Sequence, residues 1–152
     1  MSPSKLREKV ITERTEWIDN MVAGVKRLQL GSYEEFIESP VTVAAAESYL
    51  RRALEALLDM GRHILAKGFG RAVAEYKLIS TELEKTGVLT SDTAKMLRIL
   101  AGYRNRMVHF YHEISSQELY EICTKDMEDI EEVLKGMLTW INEHPEMIDR
   151  TI

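Results

Sequence analysis

The chain is poor in residues that interrupt or cross-link a fold. Its 152 residues include one cysteine, Cys123. A lone cysteine closes no internal disulfide, so an oxidised, disulfide-framed domain is excluded and a reducing, cytoplasmic setting is expected. Three prolines and eight glycines leave few enforced breaks, which favours long helices over many short strands. No run comes near the roughly 18 consecutive apolar residues of a membrane span, so no membrane partner is expected. Residues 1–10 carry charges without an apolar centre, which argues against a signal peptide. No segment of useful length alternates with period two, and neither a Walker loop nor a G-x-G-x-x-G is present. A self-contained nucleotide-using enzyme is thereby disfavoured, and no cofactor is expected.

What is present is an ordinary soluble balance, 45% apolar and 30% charged, enough for one helical domain over 1–152 with its own core. The net charge of −5 hides an asymmetry. Residues 1–50 net −2, residues 51–112 net +5 and residues 113–152 net −8. A basic middle between acidic flanks permits a local phosphate-binding surface on an acidic protein, although solvated helix faces explain the same charges.

Hydrophobic spacing is helical almost throughout. Val10, Trp17, Ile18, Met21, Val25 and Leu28 form one stripe, ended by Gly31. Ser32 and Glu35 predict a capping box opening a short turn before Pro40. A long helix is predicted from about Val41 to Lys67, closed by Gly68, and a third from Arg71 to Lys85, ended by Gly87. A fourth starts near Thr90–Asp92, capped by Ser91 or Asp92, and runs through Met107. Ser115 and Glu118 predict a second capping box, opening a last helix through Ile141 before Pro145. Residues after about 144 are expected to fray. The expected fold is all-α, an antiparallel bundle of four to five helices.

The chemically dense stretch is Tyr103 to Glu113. Asn105 and His109 are four apart and share a helix face. Arg104 and His109 are five apart, about 140° round an α-helix. They converge only if the arginine reaches round, the helix ends near His109, or a second subunit contributes. A two-fold axis bringing two copies into one groove is the favoured arrangement, hence a symmetric homodimer. Metal-free RNA cleavage needs a base for the 2′-hydroxyl, an acid for the leaving 5′-oxygen and cations for charge growing on phosphorus. Histidine suits the proton transfers and arginine the phosphate, while Asn105 can orient His109 or donate to an oxygen. A helix end satisfied by Arg104 and His109 accounts for these residues equally well.

The string Arg104-Asn105-Arg106-Met107-Val108-His109-Phe110-Tyr111 resembles the R-x4-H-x-Y signature of the HepT family, toxins of the HEPN superfamily. Ala53 to Leu65, Glu84 to Leu89 and Leu119 to Ile122 are similar to further segments of that family, and the likeness covers roughly residues 45–141. The resemblance implies a dimerising helical bundle that acts as a metal-independent RNA endonuclease. It makes Arg104, Asn105 and His109 catalytic, while Arg106, three residues before His109 on the helix, is expected from its spacing to contact RNA. It further implies a partner nucleotidyltransferase of the MntA type, the antitoxin, which moves AMP from ATP onto Tyr111. Bulk and phosphate charge there would repel the RNA backbone.

Other readings compete. His109, His112 and Glu113 fall short of a three-ligand zinc site, so no metal is expected. His63 and His144 read as isolated histidines, and Cys123 as a small buried hydrophobe. Against the nuclease stands a non-catalytic HEPN module serving a nucleotidyltransferase as partner or substrate-binding subunit.

Overall fold

The computed structural model describes residues 4–109 and 114–151. Five helices of ten residues or more make the bundle: α1 (Glu8–Lys26), α3 (Pro40–His63), α4 (Tyr76–Lys85), α5 (Ser91–His109) and α7 (Met127–Glu143). Short helices α2 (Tyr33–Glu38) and α6 (Ser116–Glu121) bridge them. The all-α bundle expected from periodicity is the one found.

Helix α3 is the axis. Leu50, Ala53, Leu54, Leu57, Leu58 and Met60 on it are fully buried. Each such leucine removed from water contributes roughly 2 kcal/mol, and this supplies most of the driving force for the helix that carries them. α1 packs along α3, while α4 and α7 pack against α5. Two close approaches set these positions. The Tyr49 ring of α3 lies where a Cβ on Gly24 of α1 would stand, 2.6 Å from it. Ile79 and Leu83 of α4 come within 2.8 and 3.0 Å of the corresponding point on Gly61. The absence of a side chain at Gly61 therefore lets α4 cross α3 closely, which matters for the site described below.

Local signals set most ends. Ser32 accepts from the Glu35 amide and Ser115 from the Glu118 amide, as the capping boxes predict. Ser39 caps α3, with Pro40 in its first turn. Gly87, at φ 81°, follows the end of α4. α3 continues as one π-turn over Ile64–Gly68, close to the predicted end at Lys67. A second π-turn, Ile122–Asp126, joins α6 to α7, so the predicted last helix is one path with a bulge.

Three expectations need correction. The third helix starts at Tyr76, not Arg71. The Arg62 guanidinium donates to the carbonyls of Val73 and Ala74 at 3.0 and 2.7 Å, tying that stretch to α3 outside any helix. The cap of α5 is Thr90 rather than Ser91 or Asp92, its hydroxyl accepting from the Thr93 amide. The tail after 144 is tied down. Pro145–Met147 forms a 3-10 turn, and β2 (Ile148–Asp149) pairs in parallel with β1 (Leu6–Arg7). Burial of Leu6 against the bundle anchors that pairing, which periodicity over two-residue strands cannot reveal.

Candidate functional site

The last two turns of α5 present their polar residues to two different neighbours. Arg104 points toward α3 and α4. Its Nη2 donates to Glu55 Oε2 at 3.1 Å, and its Nη1 lies 3.4 Å from Asn105 Oδ1. The guanidinium carbon sits 4.6 Å from the centre of the Tyr76 ring, within cation–π range. Its Nε is buried and has no hydrogen-bond partner. Only 17% of the Arg104 side chain is exposed, so this is a largely desolvated cation with unspent donor capacity.

The surrounding polar groups form a chain. Glu55 also accepts from Arg51 Nη1 at 2.9 Å, and Arg51 in turn pairs with Glu47. Tyr76 donates its hydroxyl to Asp59 Oδ1 at 2.7 Å. Arg62 lies over the same ring at 4.7 Å and also reaches Asp59, at 3.3 Å. Burial, then the bond to Asp59, pushes the Tyr76 phenol up to about 12, so it stays a neutral donor. Three α3 residues thus build the floor on which Tyr76 and Arg104 rest: Glu55, Asp59 and Arg62.

A groove of about 620 Å³ opens beside them, lined by Arg62, Ala74, Glu75, Tyr76, Lys77, Arg104 and Asn105. The lining has three cations against the one carboxylate of Glu75. Arg104 and Asn105, both singled out in the sequence, therefore meet in one concave, basic place. Such a surface can hold phosphate oxygens through a planar guanidinium fork and an amide donor.

Arg106 does not line this groove. It holds both oxygens of Glu118 on α6, at 2.6 and 2.9 Å, a two-pronged pair that ties α5 to α6. His109 is the last described residue of α5. Tyr111, the expected AMP acceptor, lies outside the described residues, as do His112 and Glu113. Among the described residues no group of three His, Cys, Asp or Glu is placed to hold a metal.

Glu55, Asp59, Arg62, Tyr76 and Lys77 were not read as site residues from the sequence. The first three recur four and three apart on α3, a signal of one shared polar face. Tyr76 and Lys77 gave none, because their approach depends on the crossing at Gly61. The remaining histidines and Cys123 are structural. The neutral His63 Nε2 accepts the Arg7 amide, and burial pushes its pKa down to about 4. His144 stacks on Trp140 at 4.3 Å. Cys123 is buried, which pushes its thiol up to about 12 and makes it a poor nucleophile.

With this geometry in place, comparisons with known proteins agree on one group. Residues 13–137 match the family described as "Ribonuclease HepT-like". A curated relative, the tRNA nuclease HepT of Aphanizomenon flos-aquae (strain 2012/KM1/D3), is 28% identical over 112 residues, covering 73% of this chain and 76% of the relative. A tri-AMPylated HEPN toxin of Shewanella oneidensis, solved in complex with MNT antitoxin, superposes with a TM-score of 0.76. Its identity is 19%, over 86% of this chain and 97% of the toxin. The cytosolic protein YutE of Bacillus subtilis, of unknown function, superposes equally well at 0.76 and 19% identity, over 92% of this chain and 94% of YutE. At such identities the two structures speak for the fold alone.

Proposed function

The chain belongs to the HepT-like ribonuclease family, and from that premise we propose that it is a metal-independent RNA endonuclease, the toxin of a pair with a nucleotidyltransferase antitoxin. The observation that carries this reading is the convergence of Arg104 and Asn105 in a basic groove on the helix that also carries His109. In the reaction, Arg104 and Asn105 hold the oxygens of the scissile phosphate and stabilise charge as the phosphorus becomes five-coordinate. His109 exchanges the proton between the attacking 2′-hydroxyl, the leaving 5′-oxygen and solvent. The 2′-oxygen to phosphorus bond forms as the 5′-oxygen bond breaks, leaving a cyclic phosphate. A second protomer across a two-fold axis would supply the other proton-transfer group. Transfer of AMP to Tyr111, two residues beyond His109, would place an anion next to these cations and silence the enzyme.

The alternative, a non-catalytic helical partner of a nucleotidyltransferase, has one observation on its side. Arg104 is already engaged by Glu55. Cleavage of cellular RNA in excess EDTA separates the two. Wild-type protein free of AMP should cut, while Arg104→Ala and His109→Ala should not, with unchanged helical circular dichroism. Failure of the AMP-free wild type to cut rejects the nuclease. For regulation, incubation with the partner enzyme and ATP should add AMP mass to wild type and none to Tyr111→Phe. A Tyr111→Phe protein that gains the mass rejects that acceptor.

A further inference from the structure

The groove beside Arg104 is larger than one phosphate requires, and its far wall has chemistry of its own. That wall is the non-helical segment ending in Ala74–Glu75 and the first turn of α4. Lys77 stands in that first turn, exposed, and no described residue pairs with its ammonium. Every other cation lining the groove is engaged. Arg62 spends its guanidinium on Asp59, Val73 and Ala74, and Arg104 is shared between Glu55 and Tyr76. The α4 N-terminus adds to the same field, having no side-chain cap and no acid in its first turn. Glu75 is the opposing charge and sits at the cap position, outside the helix.

We propose that Lys77 is the second phosphate-binding cation of this site, holding the RNA phosphate next to the one at Arg104, so that the strand runs along the 74–77 wall. Tyr76, the residue before Lys77 and fixed by Asp59, positions Arg104 by its ring and places Lys77 at the rim. Lys77 takes the role that sequence spacing gave to Arg106, whose fork is occupied by Glu118. A lysine suits it, because an ammonium binds phosphate as a point charge and demands no fixed geometry of a flexible strand. This assignment rests on the nuclease reading, whereas its test does not need cleavage.

The test is binding of fully 2′-O-methylated RNA oligonucleotides, which lack the attacking hydroxyl, across a range of salt. The comparison is between wild type, Lys77→Ala, Lys77→Arg and Lys9→Ala, the last an exposed lysine on α1 that controls for net charge. Lys77→Ala should weaken binding about three- to tenfold whatever the base sequence, and lower the salt slope by about 0.7, one single-strand phosphate contact. Lys77→Arg should restore both, and Lys9→Ala should change neither. Equal affinity and slope for Lys77→Ala and wild type overturn the assignment while wild-type cleavage leaves the nuclease standing. AMP bound as tightly as RNA and with the same Lys77 dependence would mean a mononucleotide pocket, and would also overturn it. A wild type that neither binds nor cuts RNA removes both.

Discussion

Two faces of α5 carry an arginine each, about 200° apart round the helix, and the two are paired in different ways. Arg106 meets Glu118 fork to fork, with two short bonds to one carboxylate. Arg104 has one bond to Glu55, a ring beneath it, a marginal contact to Asn105 and a buried Nε without a partner. A matched fork has little left to offer a ligand, and its value lies in joining two helices. A cation held in place but under-satisfied is what a phosphate site needs. It is oriented without being consumed, so little reorganisation remains when the substrate arrives. The same residue type, two positions apart, is a strut on one face and a candidate catalyst on the other.

The strongest way to break this contrast is to remove each arginine in turn. Arg104→Ala is expected to cost about a hundred- to a thousandfold in RNA cleavage, the usual loss for a donor aimed at transition-state charge. Arg106→Ala should leave cleavage close to wild type once both proteins are compared well below their melting temperatures. A collapse of activity in Arg106→Ala with an intact fold would mean that the Glu118 pair opens to bind RNA, and the contrast would fail.

Stability should show the reverse order. The Arg106–Glu118 pair joins two helices and is half-buried, its side chains being 35% and 32% exposed. Glu118→Gln is therefore expected to lower the unfolding free energy by about 1 kcal/mol, measured by urea titration. Its backbone amide keeps its bond to Ser115, so the α6 cap survives the change. No loss of stability would make the pair ornamental.

Glu55 offers a subtler test, since it both orients Arg104 and competes with phosphate for it. Glu55→Gln keeps an oxygen acceptor and removes one negative charge from beside the groove. Binding of the 2′-O-methylated RNA should tighten by about threefold, most clearly at low salt where charge is least screened. Weaker binding would show that the carboxylate serves only to hold Arg104 in place.

How much of this could be read from the chain depends on whether a feature is local. The helical bundle, the caps at Ser32 and Ser115 and the polar cluster of α5 follow from neighbours in sequence, and all were legible. The direction of each arginine was not. Arg104 and Arg106 look alike in a helical pattern, and which meets a carboxylate fork depends on where α6 docks. The groove wall was misread as helix because residues 71–75 have no breaker after Gly70. What holds Val73 and Ala74 out of a helix is Arg62, eleven and twelve residues earlier on the preceding helix. The tail strand failed for the same reason, its partner Leu6–Arg7 lying at the opposite end of the chain.

The smallest effect separates the ring of Tyr76 from its hydroxyl. The ring supports Arg104 through its face, while the hydroxyl only satisfies Asp59, which Arg62 also reaches. Tyr76→Phe keeps the first and deletes the second. Stability should fall by about 1 kcal/mol, the worth of one half-buried hydrogen bond to a charged group, and RNA affinity should not move. Tyr76→Leu deletes the π-face as well, and should weaken RNA binding and cost more stability than the phenylalanine, since the ring also supports Arg62. If Tyr76→Phe alone weakens RNA binding, the hydroxyl and not the ring is what orients Arg104. The under-satisfied arginine would then depend on the Asp59 network rather than on the aromatic surface beneath it.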